Sequence, residues 1–263
     1  MLNDLRFAIR MLFKNPGFTA VVVLTLALGI GANTSVFTVV NAVLLRPLRY
    51  PDSERLMVIQ ATRLGSKEGF QSAPGVFLDW RERSTSFEKL VGARPTRMIM
   101  SGVDQPRFVS VSAVSFDFFD VIGVRPVLGR TFTPEEDQPG RGLAALVDAG
   151  FWQRELGASA EVLGQTIILD DSPYNLVGVL PPDVRFGYFG VTDVWVPIAA
   201  DRRHRFGGDV VVVGRLRQGL TQEAAQAEMD VVMQGIGREH IQDSQTGVLV
   251  KPLHEWGCSA CEV

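Results

Sequence analysis

Cys258 and Cys261, the two cysteines of this 263-residue chain, stand as C-S-A-C at its end. A C-x-x-C pair does redox chemistry when it heads a helix after a strand. It holds zinc when two further ligands complete the set. Two residues follow here and no spacing supplies more ligands, so the pair reads as an incidental tail. The three histidines, His204, His240 and His254, stand at neither H-x-x-x-H nor H-x-E spacing. They read as surface or core-edge residues. Glu135, Glu136 and Asp137 follow Thr133-Pro134 and read as the acidic first turn of a short helix, where the macrodipole favours carboxylates. A G-x-x-x-x-G-K-[ST] phosphate loop and a G-x-S-x-G elbow are both missing. Gly29 and Gly31 begin a dinucleotide fingerprint, but Thr34 occupies its last position inside an apolar run. The expected catalytic, cofactor-binding and metal-binding residues are therefore none. No cofactor is expected, and the chain is not expected to be an enzyme.

The elements that would position any function fall into two unlike parts. Residues 1–49 carry Arg6, Arg10, Lys14, Arg46 and Arg49 against Asp4, a net +4. The whole chain is −3, so residues 50–263 carry −7. An acidic body argues against a nucleic-acid partner, which needs a basic face on the folded part. Hydrophobic residues make up 46% and mean hydropathy is +0.14, too apolar for disorder. Two cysteines in this length exclude a disulfide scaffold.

Between Lys14 and Arg46 no ionisable side chain occurs. A bilayer core needs ~20 apolar residues, so residues 17–46 are expected to form one transmembrane helix. Gly29, Gly31, Asn33, Thr34 and Ser35 suit close packing against another such helix. A cleaved signal peptide, with its apolar part at Val21 to Leu28 and small residues Ala27 and Gly29 at the cleavage site, is the rival. The apolar pattern that resumes from Val36 to Leu45 counts against it. Residues 1–16 read as an amphipathic interfacial helix. Leu2, Leu5, Ile9 and Leu12 share one face and Arg6, Arg10 and Lys14 another, before Asn15-Pro16-Gly17 breaks the pattern. The basic side chains that precede the run favour a cytoplasmic N-terminus and a body on the far side.

From residue 50 the pattern is that of an α+β fold. Strands are expected at Leu56 to Thr62, Met98 to Met100, Arg107 to Val114, Val210 to Leu216 and Val248 to Val250. A helix starts at Pro74 with Phe77, Trp80 and Phe87 on one aromatic face. A second is capped by Thr221, with Ala225, Met229, Val232 and Ile236 inward. The order is that of a split βαβ, ferredoxin-like unit with helices on one face of the sheet. Residues 50–115 and 207–255 would form this lobe, and 116–206 an inserted small α/β lobe. The insertion holds a hairpin with Thr166 to Leu169 and Tyr174 to Leu180 joined through Asp170-Asp171-Ser172-Pro173. Residues 256–263 are expected to be a tail outside the fold.

The stretch ALGIGANTSVFTVVNAVLLRPLRYPD, Ala27 to Asp52, resembles the first transmembrane helix and its exit in MacB-like ABC-transporter permeases, above all the acidobacterial permeases that stand without an adjacent ATPase. FLDWRERSTSFEKL (Phe77 to Leu90), VSFDFFDVIGVRPVLGRTFTPEED (Val114 to Asp137) and FWQRELG (Phe151 to Gly157) are similar to the periplasmic core domain of that family. So are VLGQTIILDDSPYNLVGVLPPDVRF (Val162 to Phe186), DVWVPIA (Asp193 to Ala199) and GRLRQGLTQEAAQAEMD (Gly214 to Asp230). The resemblance implies a core domain at 50–255, with a lobe like the porter domains of efflux pumps and an inserted lobe. It implies a single-pass protein of the bacterial inner membrane with a periplasmic body, working in ABC-type efflux. Implied partners are membrane lipid, a cytoplasmic ABC ATPase, other permease subunits and a periplasmic adaptor. The family pattern continues into further spans, whereas this chain reads WGCSACEV after Glu255. It therefore reads as a C-terminally truncated member. The alternative is a single-span periplasmic binding or scaffold module without transport activity.

Overall fold

The computed structural model describes residues 17, 19, 21, 24–31, 50–102, 105–141, 143–182, 184 and 191–256. The chain divides into two units, Met1–Pro47 and Leu48–Val263. In the first, the described residues are helical. Val21, Leu24, Leu26, Leu28 and Ile30 are each between 58% and 72% exposed. Thr25 Oγ1 donates to the Val21 carbonyl at 2.8 Å, which satisfies a hydroxyl within its own helix. Among the described residues no helix is long and apolar enough to cross a membrane. The amphipathic helix expected at 1–16 and most of the span expected at 17–46 lie outside the described residues, as do Cys258 and Cys261.

The second unit begins with β1 (Leu56–Arg63) and β2 (Gly69–Phe70), then α1 (Pro74–Arg83), β3 (Phe87–Ser101) and β4 (Arg107–Val114). After α2 (Phe118–Ile122) come β5 (Leu128–Gly129), β6 (Ala144–Asp148), α3 (Ala149–Glu155), β7 (Thr166–Leu169), β8 (Ser172–Leu180) and β9 (Val194–Pro197). The chain continues through β10 (Val211–Leu216), α4 (Gln222–Glu239), β11 (Thr246–Pro252) and α5 (Leu253–Trp256). One sheet results, in the order β11-β1-β10-β3-β4-β9-β6-β8-β5. Its first four strands are antiparallel to their neighbours, and their order is that of a split βαβ unit. The sheet then continues without a break, with β4/β9 and β6/β8 parallel.

Local chemistry explains the boundaries. Pro74 opens α1 at a position where a missing N–H costs nothing. The helix stops at Arg83 because the next backbone donors are taken elsewhere: the Thr85 and Ser86 N–H groups donate to Glu228 at 2.5 and 2.7 Å. Phe87, expected on the helix, therefore lies on β3. That strand runs fifteen residues, far beyond the expected Met98 to Met100. Gly92 inside it is required by packing, since a Cβ there would stand 2.9 Å from Val210 Cγ1. Pro95 is tolerated because β10 pairs with β3 only as far as Ala93 and β7 only from Met100. In the β7–β8 hairpin Asp170 and Asp171 both have positive φ, 46° and 60°, as a two-residue type I′ turn demands.

Strand alternation divides the apolar residues between two faces. Met57, Ile59, Val212 and Val250 join Phe77, Trp80, Met229 and Ile236 on the first, beneath α1 and α4, with Phe151 of α3 further along. Leu56, Val58, Val211 and Val213 join Phe118, Phe119, Ile122, Trp195 and Leu253 on the second, beneath α2 and α5. The expectation of helices on one face is thus corrected: both faces are covered, because alternate strand residues are apolar on both. The acidic run is corrected too. Residues 134–137 form a turn rather than a helix, with Glu136 Oε2 accepting from the Thr133 N–H at 2.9 Å and Asp137 bonded elsewhere. Trp256, placed in the tail by the sequence, closes α5 and packs half-buried on the second core.

Candidate functional site

The segment from Ile198 to Val210 carries the chain from β9 back to β10, across the middle of the sheet. Its first residues are pinned by Asp137. Oδ1 accepts the Ala199 N–H at 2.8 Å and Oδ2 accepts the Phe116 N–H at 3.0 Å. Ala199 has φ 43°, a left-handed conformation that costs an L-residue energy unless its surroundings hold it. Burial pushes the Asp137 carboxyl above its ordinary range, against the pull of the two backbone donors. Further along, Arg203 holds Asp201 down at about 2 by direct hydrogen bonding.

Beneath the segment lies a cluster of buried charge. Asp79 of α1 is 1% exposed, Asp243 3% and Arg205 7%. Arg205 Nη2 donates to Asp79 Oδ2 at 2.7 Å and its Nε to Asp243 Oδ2 at 2.7 Å. Arg202 bonds the other Asp79 oxygen and reaches Glu82 at 2.7 Å. His240 Nε2 stands 3.9 Å from Asp79. Two guanidinium groups thus face two buried carboxylates. Charges this deep persist only when paired. Gly75 is needed beside them, because a Cβ would lie 2.4 Å from the Arg202 carbonyl, and its N–H donates to the His204 carbonyl at 2.8 Å. The first turn of α1 and the crossing segment are therefore one rigid piece.

Above this piece opens a groove of about 910 Å³. Met98, Ala113 and Val196 contribute to its lining, with Pro74 of α1, Phe206 of the crossing segment and Tyr174 of β8. Phe206 is 79% exposed at the rim. The lining carboxylates Asp201 and Asp209 are paired with Arg203 and Arg94. Among the described residues no group of His, Cys, Asp and Glu is placed to hold a metal ion.

Of the residues singled out in the sequence, the structure brings few together. His204 lies exposed in the groove, 3.9 Å from Asp201. His240 borders the buried cluster, and His254 is exposed on α5, 4.0 Å from Glu255. Asp137 accepts from the Ala199 and Phe116 N–H groups, and Glu136 pairs with Arg130 at 2.8 Å. Asp79, Arg202, Arg205 and Asp243 were not anticipated. The signal was present in Asp79, an acid set among Val76, Phe77 and Trp80 on the apolar arc of α1. Such an acid demands a buried partner, and Arg202-Arg203-His204-Arg205 is the basic run that supplies it.

The MacB-like periplasmic core domain family model matches residues 19–232. Among curated relatives, a macrolide export ATP-binding/permease protein MacB from Burkholderia thailandensis is 30% identical over 156 residues, 57% of this chain and 23% of the relative. That of Burkholderia lata is 30% identical over 155 residues, 57% of this chain and 22% of the relative. The alignments thus span less than a quarter of those proteins. Among solved structures, a domain of a permease protein from Porphyromonas gingivalis has a TM-score of 0.59 at 17% identity, over 77% of this chain and 92% of that one. The periplasmic region of MacB from Actinobacillus actinomycetemcomitans has a TM-score of 0.57 at 11% identity, over 80% and 94%. These two share the fold of the sheet described above. The family match extends over most of the chain, and the chain belongs to the family of the MacB-like periplasmic core domain.

Proposed function

We propose that this chain is a membrane-anchored component of an ABC-type efflux permease, with residues 50–255 as its periplasmic core domain and residues 17–46 as its anchor. Membership of the family carries the reading. The exposed apolar side chains of Val21, Leu24, Leu26, Leu28 and Ile30 support the anchor, because such a surface is favourable in lipid and costly in water. In this reading the core domain transmits motion and meets partners, and no residue of the chain breaks or forms a bond. The groove between the two halves of the sheet is where such motion would be felt. Energy would come from a cytoplasmic ABC ATPase, the partner that the ATP-binding/permease relatives suggest. Further permease subunits would complete the pathway, and a periplasmic adaptor would meet the core domain. The curated relatives are named for macrolide export, which makes a macrolide the first cargo to test.

Reporter fusions after Asp52 test the reading. An enzyme that folds only outside the cytoplasm should be active there, and the fusion should sediment with membranes. Activity of a cytoplasmic-type reporter at the same position would overturn the topology. A full-length chain that supports macrolide efflux with no ATPase supplied would overturn the coupling.

A further inference from the structure

β11 is the last strand of the sheet, paired with β1 along its whole length from Met57↔Pro252 to Arg63↔Thr246. The other side of a terminal strand presents unpaired N–H and C=O groups, a template for any further strand. Here three of those groups are already taken by two side chains of α4. The Val250 N–H donates to Gln226 Oε1 at 2.7 Å, and Gln226 Nε2 donates to the Val248 carbonyl at 3.0 Å. Gln222 Nε2 donates to the Val250 carbonyl at 2.9 Å. The second hydrogen of Gln226 Nε2 goes to Asp230 Oδ1 at 2.9 Å, one turn along the helix. With both hydrogens assigned, the orientation of the amide is fixed and its oxygen faces Val250. A carboxamide has the donor and acceptor of a peptide group. Gln226 therefore occupies the Val248 carbonyl and the Val250 N–H, two groups that a neighbouring strand would otherwise pair.

We propose that Gln222 and Gln226 form an edge lock, occupying in place of a twelfth strand the positions that β11 of a second copy would otherwise fill. The second copy follows from the strand itself. Turned antiparallel about Leu249, Thr246–Pro252 sets Val248 against the partner's Val250 and Gly247 against the partner's Lys251. Thr246 then faces the partner's Pro252, Leu249 faces the partner's Leu249, and no like charges are opposed. Of the four groups that Val248 and Val250 would use in that pairing, the glutamines hold three.

The full chain in detergent tests this with the double variant Gln222→Ala and Gln226→Ala. Alanine is a better helix former than glutamine, so α4 is retained. Amide hydrogen exchange and sedimentation over a concentration series are the readouts. Exchange of the Val250 amide at least tenfold faster at the dilute end of the series, where the chain is monomeric, with α4 amides unchanged and a dimer growing with concentration, is the expected result. Exchange at the parent rate would overturn the lock. Faster exchange with a monomer at every concentration would overturn the second copy as the excluded strand. Should the double variant not fold, Gln226→Glu serves instead. It keeps the acceptor for Val250 but not the donor for Val248, so the Val250 amide should stay protected and the chain monomeric. Loss of Val250 protection in that variant would overturn the assignment.

Discussion

The two faces of the sheet are buried by different means. On the first, α1 and α4 lay ten and eighteen residues over the strands, and aliphatic side chains fill the space around Phe77 and Trp80. On the second, α2 and α5 have five and four residues, too short to form alone. Their substitute for length is aromatic packing and tethering. Phe118, Phe119, Phe132 and Trp195 meet ring to ring at 5.4 to 6.3 Å. Arg215, 9% exposed on β10, donates to the carbonyls of Val121 at 2.7 Å and Pro51 at 2.9 Å. A long helix carries its own hydrogen bonds to the core, whereas a short one has to be held by the sheet it covers.

If both covers bear comparable weight, truncation on either side should cost about the same. Trp80→Ala on the first face and Phe119→Ala on the second should each destabilise by about 3–5 kcal/mol, as large aromatic truncations in packed cores do. Denaturant unfolding with an unchanged slope is the check. A cost below about 1 kcal/mol for Phe119→Ala would reduce the second face to a loose covering.

The next effect separates tethering from packing. Arg215→Met keeps the apolar stem but removes the donors to Pro51 and Val121. A loss of about 2–3 kcal/mol is expected from charged hydrogen bonds at a buried site. Amide exchange should quicken in α2 but not in α4. Equal quickening in both would show that the faces do not open separately.

That asymmetry also governs what the sequence reveals. Ala225, Met229 and Ile236 repeat at helical spacing and Thr221 caps them at 3.3 Å through the Ala224 N–H, so α4 is legible over its whole length. In α2, five residues give no period to read. Its residues become a helix because Phe118, Phe119 and Ile122 are drawn onto strands that also contact the first core. β3 was half hidden for a related reason. Gly92 and Pro95 look like breakers until their neighbours are known, and the close approach of Val210 and the missing partner strand supply those neighbours. The buried cluster at Arg205 needed residues 79, 202 and 243 at once. No local pattern carries that information.

The two faces should also answer oppositely to acid. Glu228 on α4 is pushed up by burial, but hydrogen bonds from Ser86 and Thr85 outweigh this and hold it below its ordinary 4.5. Its contribution is present above 4.5 and is lost as pH falls through the lowered value. Asp137, beside Phe116 on the second face, is raised above its ordinary 3.8 by burial. Its contribution is greatest below 3.8 and is lost as pH rises through the raised value. Glu228→Gln should cost about 1–2 kcal/mol at neutral pH and remove the acid-side fall. Asp137→Asn should remove the loss on the alkaline side of 3.8. Unfolding free energy measured against pH for the three proteins checks both slopes, and a shared sign would break the comparison.

The smallest effect lies at one of the two fully buried tryptophans, which stand one on each face. Trp80 Nε1 donates to the sulfur of Met233 at 3.4 Å, whereas Trp195 Nε1 is buried without a partner. Replacement by phenylalanine removes an indole N–H and some volume at both positions. At Trp80 both losses count against the variant, and about 1.5–3 kcal/mol is expected. At Trp195 the lost volume is offset by removal of a donor that had been desolvated for nothing, a penalty of about 1–3 kcal/mol in the parent. Trp195→Phe should therefore fall within about 1 kcal/mol of the parent, on either side of zero. The surrounding rings decide how well the gap closes, since Phe118 and Phe119 lie at 5.9 and 5.4 Å from the indole and can move only with α2. Denaturant unfolding of both variants measures the difference. A cost at Trp195 as large as that at Trp80 would mean that volume outweighs the unpaired donor, and that the second face is packed as tightly as the first.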